Sequence, residues 1–239
     1  LERAVIVTGS ANGTDNRVTM DALARMGGKF KGLALLDAAV TDAELWRLKD
    51  AGFTGFRVKA NGRGGSSFDE TKKLIARVRG FDWHVEFMSQ SMAEVIGAVP
   101  FLNSLKIPFV FDHVAHAHPH QDDREFKELL AILRSEENAW VNLYSFYQSS
   151  EQGPPNYTDM ADLVGAIIDT RPDHIVWGSN WPHAGVAVPM PNDGDLLDFL
   201  LAVAPDEKTR KLILADNPAT LYGWPQSNLN QSGSSVPTA

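Results

Sequence analysis

From its first residues to Tyr222 the chain alternates between apolar runs of strand length and longer segments carrying helix start and stop signals. The strand-like runs are 3–9, 31–37, 55–60, 83–88, 108–113 and 140–145, with a seventh opening at His174. Between them, Thr41 with Glu44, Ser67 with Glu70 and Ser91 with Glu94 have the spacing by which a hydroxyl and a carboxylate cap the first turn of a helix. Gly27-Gly28, Gly52 and Gly80 supply stops. Strict strand–helix alternation implies a parallel sheet with helices outside it. Seven such units in 239 residues suit an α/β fold of the (β/α)8 TIM-barrel-like type, which takes about 250 residues. One strand is lacking. Because the chain opens directly in a strand, the absent unit is expected before Leu1, and an open doubly wound sheet is the alternative.

Residues 1–225 are therefore expected to form one N-terminally incomplete barrel domain, since no linker-like stretch interrupts them. Residues 226–239, rich in Ser, Asn and Gln, are expected to be a disordered polar tail. With 44% hydrophobic and 22% charged residues the composition is that of a globular protein with one large core. A net charge of −8 argues against nucleic acid as a partner, yet leaves room for an anionic small molecule, which needs only a few local cations. The absence of Cys rules out disulfides, thiolate metal sites and a cysteine nucleophile, and fits a cytoplasmic location. No apolar stretch approaches the roughly 20 residues of a membrane span, and the first residues lack a secretory pattern. Nothing in the chain fixes an oligomeric state.

Ligands of parallel α/β proteins bind at the carboxyl ends of the strands. The residues just past those ends are Ser10 and Asn12, Asp37, Arg57 with Arg63, Met88, His113, Asn142 with Tyr144, and Asn180 with His183. In the last stretch an apolar run ends in Gly178-Ser179-Asn180, and Trp181-Pro182 blocks further pairing, so Asn180 and His183 should sit exposed at the mouth. Two arginines, a histidine and several neutral hydrogen-bonding groups suit an anionic substrate with a polarisable carbonyl, because a guanidinium grips a carboxylate through two parallel bonds. Asn180 occupies the position that would most naturally hold a base, and an amide accepts no proton at neutral pH.

Each candidate has a structural alternative. Arg57 can pair with a neighbouring carboxylate and Arg63 can be solvated. His84 reads as a core histidine and Met88 as core packing. His113, His116, His118 and His120 resemble a metal cluster, but they share a loop with Pro119 and no second ligand set has zinc spacing, so no metal residues are assigned. Gly62-Arg63-Gly64-Gly65 lacks the spacing of a nucleotide loop, and no Gly-x-Ser-x-Gly elbow occurs.

Several stretches taken together resemble one family. They are Gly13-Thr14-Asp15-Asn16, Gly55-Phe56-Arg57 with Arg63, Trp83-His84-Val85, Asp112-His113, Trp177 to His183, and Asp216-Asn217-Pro218 before Leu221-Tyr222. In order and spacing the chain is similar to the amidohydrolase-related family, in its branch of 2-pyrone-4,6-dicarboxylate lactonases. That resemblance implies a distorted barrel and hydrolysis of a carboxylate-bearing lactone, in the catabolism of aromatic-derived acids. It also implies that His113 polarises the carbonyl, that Arg57 and Arg63 hold carboxylates, and that Ser10 makes a polar substrate contact. The chain departs from the family in three places. Gly-Thr-Asp-Trp-Pro-His becomes Gly-Ser-Asn-Trp-Pro-His, which puts Asn180 where the water-activating Asp stands; the His-x-His strand is absent; and an arginine and a tyrosine are replaced by Gln148 and Met88.

The leading expectation is thus a lactone hydrolase without a cofactor, with His113 and Asn180 as catalytic residues and Ser10, Arg57, Arg63 and His183 binding substrate. His183 is also a candidate base, against the plainer reading of a hydrogen bond closing the Trp-Pro turn. The alternatives are a divalent-metal-dependent hydrolase or decarboxylase of the same superfamily, and a catalytically impaired dicarboxylate binder.

Overall fold

The computed structural model describes residues 2–60, 65–186 and 189–225. Arg63 and the 226–239 tail, both singled out above, lie outside the described residues. Among the described residues seven strands form one sheet: β1 Ala4–Val7, β2 Phe30–Ala34, β3 Phe53–Lys59, β4 His84–Met88, β5 Phe109–Phe111, β6 Ala139–Asn142 and β7 Ile175–Val176. Every neighbouring pair is parallel, and the spatial order is the chain order. A doubly wound sheet would reverse its order at a switch point. Unbroken order is that of a TIM-barrel-like sheet curling on itself with one strand lacking.

The strands are shorter than the apolar runs suggested, because the last residues of several runs leave the ladder to form the mouth. Pro108 to His113 gives only three paired residues, and Trp140 to Ser145 stops pairing at Asn142. The helices are α1 Arg17–Arg25, α2 Asp42–Asp50, α3 Phe68–Arg77, α4 Met92–Ser104, α5 Asp123–Ser135, α6 Ala161–Thr170 and α7 Asp193–Val203. The sequence closes with α8 Glu207–Lys211, a π-helical turn Leu212–Asp216 and α9 Asn217–Tyr222. Ser67 and Glu70 form the full reciprocal capping box before α3; Thr41 and Ser91 each accept from the backbone three residues on. Such a cap contributes about 1 kcal/mol.

Two apolar layers follow from strand parity. Phe56, Val58, Val85, Phe87, Phe109, Phe111 and Val141 face the helices and pack with Leu45, Leu48, Leu74, Val95, Leu129 and Leu133. The opposite face carries Val110, Trp140 and Val176, which pack with Ala219, Leu221, Tyr222 and Trp224. The C-terminal segment therefore fills part of the inner face. Asn217 ties it to β7, donating through Nδ2 to the carbonyls of Pro172 and Ile175 at 2.7 Å each. On the same face, nearer the carboxyl ends, the register aligns Arg57 with Glu86 and Glu86 with Val110.

Two of the sequence stretches gain a physical reason here. A Cβ on Gly55 would lie 2.3 Å from the carbonyl oxygen of His84, so only glycine lets β3 and β4 pair at that point. Asn16, buried, exchanges hydrogen bonds with the backbone of Leu35 (2.9 Å to its oxygen, 3.0 Å from its nitrogen) and so joins the turn after β1 to the end of β2.

Candidate active site

The inner face ends in two polar clusters joined by the segment after β6. The first is ionic. Arg57 on β3, 9% exposed, donates from Nη2 to Asp112 Oδ2 at 3.2 Å and to the Tyr144 hydroxyl at 3.3 Å, and its Nε lies 3.7 Å from Glu86 Oε2. Glu86 and Asp112 are fully buried. Both Glu86 oxygens, Asp112 Oδ1, Arg57 Nε and Asn142 Oδ1 lack a hydrogen-bond partner among the described residues. Burial, with repulsion from Asp112, pushes the Glu86 carboxyl up to about 8. Burial also raises Asp112, although Arg57 draws it down. One guanidinium cannot neutralise two carboxylates, so the pair retains a proton at neutral pH and the cluster is near zero in net charge.

His113 stands above this cluster, its ring edge-on to Tyr144 with centroids 4.8 Å apart. Its Nδ1 has no partner among the described residues. Burial first, then the positive fields of His116, Arg57 and Lys59, hold its pKa down to about 3. At neutral pH it is an uncharged imidazole, able to donate one hydrogen bond through its single N–H. The backbone that presents it is unusual: His113, Val114, Ala115 and His116 all have φ between 53° and 58°. A left-handed turn containing a β-branched residue costs free energy, and such strain concentrates at functional sites. Packing holds the turn in place, since Val114 and Ala115 are completely buried.

The second cluster is a chain of hydrogen bonds. Asn180 Nδ2 donates to Ser145 Oγ at 2.8 Å and to the Tyr147 hydroxyl at 2.9 Å. Tyr147 meets His183 Nδ1 at 3.0 Å, and His183 Nε2 meets Asp193 Oδ1 at 3.1 Å. Tyr144 belongs to the ionic cluster and Ser145 to this chain, so consecutive residues connect the two.

The structure corrects part of what the sequence suggested. Asn180 is half-buried and His183 only 4% exposed, where both were expected in the open. The turn folds back, with His183 N–H donating to the Asn180 carbonyl at 2.7 Å, and Tyr147 and Asp193 then enclose the ring. Arg57 is gripped by its own carboxylate, the structural alternative weighed above. Met88 is half-buried at the end of β4 and absent from the apolar layers. Ser10 is exposed in a short turn Ser10–Asn12 after β1. His84 is a core residue, its ring edge-on to Tyr222 at 5.3 Å, with burial holding its pKa down to about 4. Of the loop histidines, His118 and His120 are exposed, and His120 pairs with Glu151 at 2.9 Å. Among the described residues no three His, Asp or Glu side chains converge as a metal site.

Glu86, Tyr147, Asp193 and Lys59 were missed. For Glu86 a signal was available: in a strand the side chains alternate, so a carboxylate two residues after His84 shares its inward face. Asp193 offered nothing beyond helix-start chemistry.

A family model described as Amidohydrolase matches residues 1–224, and the chain belongs to that family. It is 35% identical over 230 residues to a 4-sulfomuconolactone hydrolase of Hydrogenophaga intermedia, covering 93% of this chain and 75% of the relative. It is 31% identical over 235 residues to a 2-pyrone-4,6-dicarboxylate hydrolase of Comamonas testosteroni, covering 94% and 76%. A crystal structure of an Agrobacterium tumefaciens protein superposes with a TM-score of 0.81 at 28% identity, covering 95% of this chain and 82% of that one. No helix among the described residues is long and apolar enough to cross a membrane.

Proposed function

We propose that this chain is a hydrolase that opens a lactone bearing an anionic group, of the 2-pyrone-4,6-dicarboxylate type. The observation that carries the reading is His113. It is an uncharged imidazole on a strained turn beside a buried guanidinium, and it suits hydrogen bonding to an ester carbonyl as negative charge develops on the oxygen. Water, oriented by the Asn180 amide oxygen, adds to the carbonyl carbon; the ring C–O bond then breaks and its oxygen takes up a proton. The products are a carboxylate and an open-chain alcohol or enol.

Cations near the mouth would hold the anionic substituent. Arg57 contributes its field rather than a free fork, because its Nη2 is already committed to Asp112 and Tyr144. We assign direct contact to Lys59, at the end of β3 and close enough to act on His113, and to Arg63, six residues after Arg57 in the sequence. Ser10 completes the proposed binding set; His183, whose two ring nitrogens are committed to Tyr147 and Asp193, is left out of it. The donor set supports chemistry without a resident metal, and we place the enzyme in the cytoplasm acting on a free small molecule.

The test follows the ultraviolet absorbance of 2-pyrone-4,6-dicarboxylate, and in parallel a sulfonated muconolactone, with and without chelator. Chelator-resistant turnover is expected. His113→Ala should lower kcat by about 10²–10³-fold, the usual loss on removing one donor to a developing oxyanion. A His113→Ala variant as fast as wild type would sink the assignment.

A further inference from the structure

The hydrolase reading leaves the attacking water without a base, because Asn180 cannot take its proton. Resting on that reading, we infer that Tyr147, His183 and Asp193 form a relay that accepts the proton and conducts it toward solvent.

The hydrogen-bond chain has a direction that its own chemistry dictates. An ionised Asp193 carboxylate can only accept, so His183 Nε2 must carry the hydrogen of the 3.1 Å contact. In a neutral imidazole the other nitrogen is then an acceptor, and Tyr147 must donate its hydroxyl hydrogen to Nδ1 at 3.0 Å. The phenol oxygen is thereby left to accept, and Asn180 supplies it with Nδ2–H at 2.9 Å. The second Nδ2–H goes to Ser145 Oγ at 2.8 Å. Every donor in the series points outward from Asn180 to Asp193, and the amide's Oδ1 is left to accept from water.

Burial follows the same direction. The Tyr147 and His183 side chains are enclosed, with His183 at 3% exposure, whereas Asp193 is 47% exposed at the start of α7. A proton entering at the phenol thus has a buried path to a solvent-facing carboxylate. A purely structural bond closing the Trp181-Pro182 turn would need His183 and one partner. This imidazole has two, and the inner one is a hydroxyl also bonded to the residue that should orient the water.

The step balances. As the water oxygen bonds to the lactone carbonyl carbon, one water hydrogen passes to the Tyr147 oxygen and the Tyr147 hydrogen passes to His183 Nδ1. The resulting imidazolium is stabilised by Asp193. When the tetrahedral intermediate collapses and the ring C–O bond breaks, the leaving oxygen takes one proton back along the same chain, and the second water hydrogen, left on the new carboxyl group, passes out through the relay to solvent as the carboxylate forms. An Asp at position 180 would take the water's proton directly, so replacement by Asn moves the base one bond outward.

The experiment is a mutant cycle on the full chain. Tyr147→Phe and His183→Gln should each lower kcat about 10²-fold with little change in KM, the contribution of positioned acid–base catalysis. In an Asn180→Asp background, where the carboxylate serves as base, the same substitutions should cost less than about tenfold, the mark of coupled residues. In parallel, 15N spectroscopy of the wild-type histidines should find His183 protonated on Nε2 and bare on Nδ1. Equal losses in both backgrounds, or a hydrogen on Nδ1 in place of Nε2, would overturn the relay. If neither wild type nor Asn180→Asp opens any lactone, the hydrolase reading fails instead, and the His183 tautomer alone then decides whether the chain runs in the stated direction.

Discussion

The two sides of the mouth solve opposite problems with similar atoms. On the β3–β5 side, Arg57, Glu86 and Asp112 are buried with several polar atoms lacking partners among the described residues, and His113 sits on strained backbone. On the β6–β7 side, Asn180, Tyr147, His183 and Asp193 each have well-formed partners between 2.8 and 3.1 Å. The first side holds buried polar groups with unused hydrogen-bonding capacity, the kind of preorganised field that the proposed chemistry uses. The second holds directional bonds whose value lies in alignment. The side that presents Asn180, whose amide cannot act as a base, is the side with the continuous hydrogen-bond chain.

That contrast can be broken experimentally. The largest effect is expected from Asp112→Ala, which removes the carboxylate that Arg57 Nη2 bonds at 3.2 Å and leaves that donor buried without it. Removing one partner of a buried pair costs about 3–5 kcal/mol, so the urea midpoint should fall sharply with an unchanged slope. Asp193→Asn, at a half-exposed position on the other side, should leave the unfolding free energy within about 1 kcal/mol of wild type. Comparable losses at both positions would erase the distinction drawn here.

Lys59→Met should act next in size, and on binding alone. If Lys59 contacts the anionic substituent, KM rises roughly tenfold with kcat held, as expected when ground state and transition state lose the same interaction. A fall in kcat without a change in KM would move Lys59 from binding to chemistry.

Glu86 sharpens the comparison through pH. Its folded carboxyl is raised to about 8 from an ordinary 4.5, so the folded protein binds this proton more tightly than the unfolded chain. The stability this supplies is fully present below the unfolded value and is lost as pH rises from there through about 8. Between those limits the loss approaches about 1.4 kcal/mol per pH unit for a single isolated group, and sharing the proton with Asp112 makes it smaller. Glu86→Gln should flatten the decline in Tm across that window. An unchanged decline would mean that the proton resides elsewhere.

The sequence made the outline of this molecule legible for a simple reason: strand and helix periods, capping pairs and glycine stops are local signals. The place of His113 at a strand end was legible as well, because a titratable pair closing an apolar run must either face the mouth or find buried partners. Partnership across strands was not. Arg57 looked like a free clamp until β4 and β5 brought Glu86 and Asp112 beside it. His183 looked exposed because nothing in the chain near it announces Tyr147, thirty-six positions earlier, or the carboxylate of the helix that follows.

The central claim, that water opens a lactone ring at this mouth without a carboxylate base at position 180, is tested most directly by running the reaction in 18O-labelled water and analysing the product by mass spectrometry. The account requires one label in the newly formed carboxylate per turnover of the wild-type chain. A product without label, or label that enters only with Asn180→Asp, would contradict it.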